Sequence, residues 1–288
     1  LEAGYLGTKG TRLDIERSPN RAAPGSPLTA EERRQIGNAV GFTYESSDGN
    51  SIFHSGHVRV IRRFQRGMSA GATYTFAKSI DNASTFGGAG NTVAQNDRDL
   101  SLERGLSSFD QRQVLSVNFM IASPFGQNGI LHTDYGWPNK LLEGWNLTGS
   151  INAHSGTPFT ARVLGNQSNS GGTGVIGSGR ADATGLPQNS GPGYFNLLAF
   201  IIPTPGHFGT AGRNTIIGPG FLSMNMGLMR SFRLGDDRRR LEFRVEATNF
   251  SNHVNITGIG TVVNANNYGI ATNAGQMRTI SSTLRFRF

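Results

Sequence analysis

The 288 residues carry 27 basic and 19 acidic side chains, a net charge of +8, 40 glycines and no cysteine. The missing cysteine excludes disulfide frameworks, thiol catalysis and Cys-ligated metal sites. Only 16% of the residues are charged, and the basic ones are scattered, apart from Arg238-Arg239-Arg240 beside Asp236-Asp237, without a recognition motif, which argues against a nucleic-acid partner.

Glycine at about twice its ordinary usage, with many Asn, Ser and Thr, reads as an all-β chain with long loops. No apolar run approaches the roughly 18 residues of a membrane helix. The opening "LEAGYLGTKGT" is already a strand pattern, with no initiator Met and no signal peptide. Residue 1 is therefore expected not to be the natural start, and the chain to be the C-terminal piece of something longer.

Period-two alternation predicts eight strands. The first covers 1–13, with Leu1, Ala3 and Tyr5 on one face; the second covers about 52–65, with Val58 and Val60. The third, 67–80, aligns Met68, Ala70, Ala72, Tyr74 and Phe76, and the fourth, 112–123, aligns Leu115, Val117, Phe119 and Ile121. The fifth, 144–162, aligns Trp145, Leu147, Gly149, Ile151 and Ala153. In the sixth, 221–234, Leu222, Met224, Met226, Leu228, Phe232 and Leu234 oppose Ser223, Asn225, Ser231 and Arg233. In the seventh, 239–251, Leu241, Phe243, Val245 and Ala247 oppose Arg240, Glu242, Arg244 and Glu246. The last, 278–288, sets Ile280, Ser282, Leu284, Phe286 and Phe288 against Thr279, Ser281, Thr283, Arg285 and Arg287.

The connections alternate strictly. Turns at 65–67 and 235–238 are short and 124–143 is moderate, whereas 14–51, 81–111, 163–220 and 252–277 are long. In an up-and-down sheet every second connection lies at the same end, so one end is trimmed and the other carries the long loops. A soluble sandwich has no reason to sort its loops this way; an outer-membrane barrel does. The expected fold is an antiparallel up-and-down transmembrane β-barrel of about eight strands, part of a larger barrel, in one segment spanning 1–288. Leu241, Phe243, Val245, Leu284, Phe286 and Phe288 are expected to face lipid, and Arg240, Glu242, Arg244, Glu246, Arg285 and Arg287 the lumen. A soluble sheet with a solvated outer face would give the same alternation in each strand.

The chain also resembles a known family. The stretches "GYLGTKGTRL" (4–13), "YTFAKSIDNA" (74–83), "SSFDQRQVLSVNF" (107–119), "SPFG" (123–126), "GWNLTGSINAHSGTPFT" (144–160), "RADATG" (180–185), "YFNLLAF" (194–200), "FGTAGRNTIIGPG" (208–220), "FRVEATNFSNHVN" (243–255) and the terminal "LRFRF" carry the likeness. They resemble the C-terminal barrel portion of Oar-like TonB-dependent outer-membrane receptors, which carry a carboxypeptidase-regulatory-like domain near the N-terminus. The resemblance implies a twenty-two-stranded barrel, a plug and a short TonB-engaging box, the last two lying outside this chain. It implies energised uptake of a substrate without catalysis or a cofactor. The terminal Phe288 resembles the signal read by the outer-membrane insertion machinery. Two other readings stay open: a small passive or adhesive barrel complete in eight strands, and a soluble β-sandwich module binding carbohydrate.

No catalytic constellation emerges. His54, His57, His132, His154, His207 and His253 are scattered, without metal-ligand spacing. "GGAG" (87–90) and the Gly-rich 171–179 lack the Gly-Lys-Ser/Thr of a phosphate loop and read as flexible loops. Asp97, Asp99 and Glu103 in "NDRDLSLERG" offer oxygen ligands for Ca²⁺, but without EF-hand spacing they are expected to be solvated loop charges. Arg213 of "FGTAGRN" is expected to tie a loop to the wall.

Overall fold

The computed structural model describes residues 1–39, 44–82, 94–125, 141–170, 179–234 and 239–288. The expected turn at 235–238, most of the connection 124–143, "GGAG" at 87–90, His132 and nearly all of 171–179 lie outside these residues. Eight long strands form one antiparallel meander in which each pairs with its sequence neighbour. They are β1 (Glu2–Arg17), β2 (Tyr44–Gln65), β3 (Met68–Asp81), β4 (Gln113–Ala122), β5 (Trp145–His154), β6 (Phe221–Arg233), β7 (Arg240–Thr248) and β8 (Thr279–Arg287). Among the described residues β1 and β8 do not pair, so the sheet has two open edges.

Local chemistry sets several boundaries. β2 and β3 join through Arg66 and Gly67, at φ 52° and 77°. Two positive φ values in succession match the right-handed twist of flanking strands and make the tightest hairpin. β1 and β2 outrun their expected limits by four and eight residues at the loop end (Leu13 to Arg17; Ile52 to Tyr44) because they go on pairing to Arg17↔Tyr44, across register shifts near Leu13. β5 stops at His154, short of the expected 162. At Gly156 a Cβ would meet the carbonyl oxygen of Gly218 at 1.7 Å, so the chain passes hard against another backbone and leaves the sheet. Pro158–Phe159 then pairs with Ile216–Ile217 instead. β7 ends before Asn249, which turns the chain at φ 49°.

The four long connections fold together at one end of the wall. Ala22 N–H donates to the Ser170 carbonyl at 2.8 Å, Ala211 N–H to Ala181 at 2.9 Å, and Arg162 N–H to Thr261 at 3.0 Å. Their short pairings are Asp182–Ala183 with Phe200–Ile201 and Ile256–Ile259 with Ala271–Ala274. The hydrophobic core of the described chain sits in this loop layer. It comprises Val163, Phe195, Phe200, Ile216 and Ile259, with Ala161, Ala181, Ala199 and Ala211, and takes no member from the eight long strands. The long segments, read from sequence as connections only, thus bury more apolar side chains than the wall does.

Candidate functional site

Register decides which side chains share a face. Leu241 lies opposite Phe286, Phe243 opposite Leu284 and Val245 opposite Ser282, while Arg240 faces Arg287, Glu242 faces Arg285 and Glu246 faces Ser281. One face therefore continues apolar across the sheet: Val60, Ala72, Val117, Ile151 and Met224 form one row, and Val58, Tyr74, Leu115, Ala153 and Leu222 the next. The opposite face carries Thr73, Ser116, Asn152 and Ser223, and beside them Asn118, Ser150 and Asn225. Ser116 donates to the Asn152 side-chain oxygen at 3.1 Å and Asn225 to Ser150 at 3.3 Å. Arg287 reaches Glu242 at 3.6 Å on this polar side.

The loop layer covers the polar side of the sheet at its loop end. Along the upper part of β3, Ala77, Ser79 and Asp81 are buried while Tyr74, Phe76 and Lys78 are exposed. Ser79 N–H donates to the Asp110 carboxylate at 2.6 Å, and the hydroxyls of Ser79 and Ser107 share a hydrogen bond at 2.8 Å. Chain thus folds over the polar face at the loop end. The apolar face stays bare: Leu284 is 66% and Phe286 51% exposed, and Val60 and Phe76 are likewise open. A soluble sandwich would bury such a face under a second sheet; no described residue forms one. From Met68 to Phe76 the apolar band of β3 runs about 26 Å at ~3.3 Å per residue. Tilted near 40° it would span about 20 Å, the scale of a lipid-facing band.

A family model described as an outer membrane beta barrel domain matches residues 1–281. The chain belongs to this family. No curated protein matches it. The chain is an outer-membrane protein, and its eight strands are wall strands of an outer-membrane barrel domain.

Ion pairs fasten the loop layer of the barrel domain to its wall. Arg213 pairs with the Asp81 carboxylate at the top of β3, and its Nε donates to the Glu103 carbonyl at 2.6 Å. Both Arg213 and Asp81 are buried, so the expected tie between loop and wall is present. Arg180 donates to Glu103 at 2.9 Å, and Gln95 links them, giving its N–H to Glu103 at 3.0 Å and accepting from Arg180 N–H at 2.9 Å. Burial lowers the pKa of the Arg180 guanidinium despite the Glu103 charge, with Arg213 nearby adding to the lowering. The amide of Asn255 brackets the start of β6, accepting from Leu222 N–H at 2.8 Å and donating to the Leu222 carbonyl at 2.9 Å.

The candidate Ca²⁺ ligands are drawn to separate partners. Asp97 is held by Arg17 Nε at 3.0 Å, Asp99 caps the short helix Leu100–Glu103 by accepting from Ser101 N–H at 3.1 Å, and Glu103 belongs to Arg180. Nor are all three solvated loop charges, since Asp97 and Glu103 are buried. Among the described residues no group of three His, Asp or Glu could hold a metal ion.

Period-two reading missed Arg230, which lies on the apolar face opposite Trp145. Its guanidinium sits 4.5 Å from the Phe232 ring centre and 5.6 Å from that of Trp145. An arginine stacked on aromatic rings at the trimmed end suits a membrane–water interface. The alternation around "MRSF" was the available signal. Phe288 lies beyond the end of β8, stacked on Phe286 with ring centres 5.9 Å apart.

Proposed function

We propose that this barrel domain is the wall and loop layer of a TonB-dependent receptor, which captures a substrate on its outer loops and passes it along the lumen without making or breaking a bond. The two-faced sheet with its polar face under a built loop layer carries this reading. Leu241, Phe243, Val245, Leu284, Phe286 and Phe288 meet lipid. Arg240, Glu242, Arg244, Glu246, Arg285 and Arg287 line the lumen, where water solvates their charges and cross-strand neighbours balance them. The open edges of β1 and β8 cannot face hydrocarbon, where unpaired N–H and C=O groups cost several kcal/mol each, so in the membrane each must pair, on this reading with further strands of a larger barrel. A plug and a TonB-engaging segment supplied by the rest of the receptor would drive uptake, and Phe288 would serve the insertion machinery.

The test uses the full-length protein purified from outer membranes. Binding of the purified periplasmic domain of TonB, lost on removal of the N-terminal segment, supports the receptor reading; no binding overturns it and leaves the barrel intact. Eight strands in simple order are also the number of a small closed barrel. Efficient disulfide formation between cysteines placed at Ala3 and Leu284 would establish direct β1–β8 closure and favour a passive barrel.

A further inference from the structure

Three cationic or titratable side chains stand on the apolar face near its loop end. His54 of β2 lies directly opposite Lys78 of β3 and, on its other side, Gly7 of β1. Lys9 pairs with Ile52, one step closer to the loops, which makes it a diagonal neighbour of His54 at roughly 7–8 Å. All three are exposed. Tyr5 and His54 share a hydrogen bond of 2.6 Å between the hydroxyl and Nδ1, so Tyr5 fixes the imidazole. None of the ion pairs among the described residues uses Lys9 or Lys78.

Their height is set by the same register. The next outward pair below His54 and Lys78 is Gly56 with Phe76, and the one below that is Val58 with Tyr74. A cationic row thus stands immediately above an aromatic row, which stands above the aliphatic band. Beside Lys9 opens a groove of about 510 Å³, lined by Asn50, Ile52, Asn82, Leu100, Ser101 and Arg104. Its one carboxylate, Asp48, is taken by Arg17 at 2.7 Å. Amides, the hydroxyls of Ser51 and Ser101 and a guanidinium with two apolar side chains suit a hydrated sugar carrying negative charge.

We propose that Lys9, His54 and Lys78, with the adjoining groove, bind a phosphorylated glycolipid of the outer leaflet. Its phosphates meet the two ammonium groups and the imidazole, its sugars enter the groove beside Asn50 and Arg104, and its acyl chains lie along Phe76, Tyr74 and Val58. The proposal rests on the apolar face meeting lipid. Two lysines and an imidazole on adjacent rows of one face, beside a polar groove walled by loop residues, separate it from ordinary scattered surface charge.

The experiment is native mass spectrometry of the full-length protein in non-ionic detergent, titrated with bisphosphorylated lipid A. Parallel arms use dephosphorylated lipid A, phosphatidylglycerol, and millimolar inorganic phosphate as competitor. Losing both lysines in Lys9→Gln/Lys78→Gln should weaken lipid A binding roughly 30-fold, at about a tenfold-or-less effect per charge near a lipid surface. Lys9→Arg/Lys78→Arg should retain binding, dephosphorylated lipid A should bind the wild type as weakly as lipid A binds the Gln variant, and inorganic phosphate should not compete. Equal lipid A binding by wild type and Gln variant overturns the proposal. So does equal binding of the dephosphorylated lipid or of phosphatidylglycerol to the wild type. Heat-modifiable migration reports insertion separately. A wild type that fails to insert sinks the lipid-facing assignment itself, whereas intact insertion without selective binding sinks only the glycolipid site.

Discussion

The β7–β8 seam and the loop layer treat apolar side chains in opposite ways. On the seam Leu284 and Phe286 are more than half exposed, with every partner lying in the plane of the sheet. In the loop layer Ile216 is 0% and Phe195 2% exposed, inside a closed cluster. The seam has an apolar surface that no described residue covers; the loop layer covers its own. A barrel domain of this kind is stabilised by lipid along the wall and by an ordinary core above it. The two regions should therefore fail separately.

The largest expected effect tests that independence. Arg213→Ala leaves the Asp81 carboxylate buried and uncompensated, a change that costs about 3–5 kcal/mol. The loop layer should open while the wall survives. Limited proteolysis should cut within 163–220, with heat-modifiable migration in bilayers unchanged; a wall that unfolds together with its loops would break the comparison.

Ile216→Ala sharpens it from the core side. Truncating a fully buried Ile should destabilise the loop layer by about 2–5 kcal/mol, read as faster loop proteolysis in detergent. The same change at exposed Ile280 should cost far less in detergent solution.

On the wall, Phe286→Arg should cost up to about 2–4 kcal/mol, the value for a charge at the bilayer midplane, and Phe288→Arg roughly 0–1 kcal/mol, the value near an interface. Residue 286 lies about 6–7 Å deeper along the strand. Refolding into bilayers under denaturant measures both. Equal effects would place the two residues at one depth and refute the facing of β8.

Between the regions stands Asn255, whose side chain closes the backbone of Leu222. Asn255→Ala should cost about 1–3 kcal/mol by leaving those groups unsatisfied. Slower hydrogen exchange at Leu222 in the variant than in the wild type would exclude this role.

The smallest effect concerns pH. Burial pushes the Tyr268 phenol up to about 12, with its hydroxyl donating to the Leu197 carbonyl at 3.1 Å. A raised value means that the folded state favours the neutral phenol. The contribution is complete below the ordinary value near 10 and is lost as pH rises from there through about 12. Difference absorbance against Tyr268→Phe should show one late-ionising tyrosine, with loop proteolysis accelerating over the same range.

Alternation along single strands was enough to place Leu241, Phe243, Val245, Leu284 and Phe286 on one face and the charged set on the other. A strand's side chains alternate whatever surrounds it, so parity needs no tertiary information. The strict sorting of long and short connections likewise gave the meander and its loop end. The fates of Asp97, Asp99 and Glu103 were not legible. They stand within seven residues of one another, but their partners Arg17 and Arg180 lie 80 and 77 positions away. The loop core was hidden for the same reason. Phe195, Phe200, Ile216 and Ile259 sit in segments without periodicity and meet only when two connections, 163–220 and 252–277, fold together at one end of the sheet. The sequence by itself determined which side chains share a face, because that follows from backbone geometry alone. Only the tertiary structure decided which loop charges pair and which loop side chains form a core, because both depend on contacts between segments far apart in the chain.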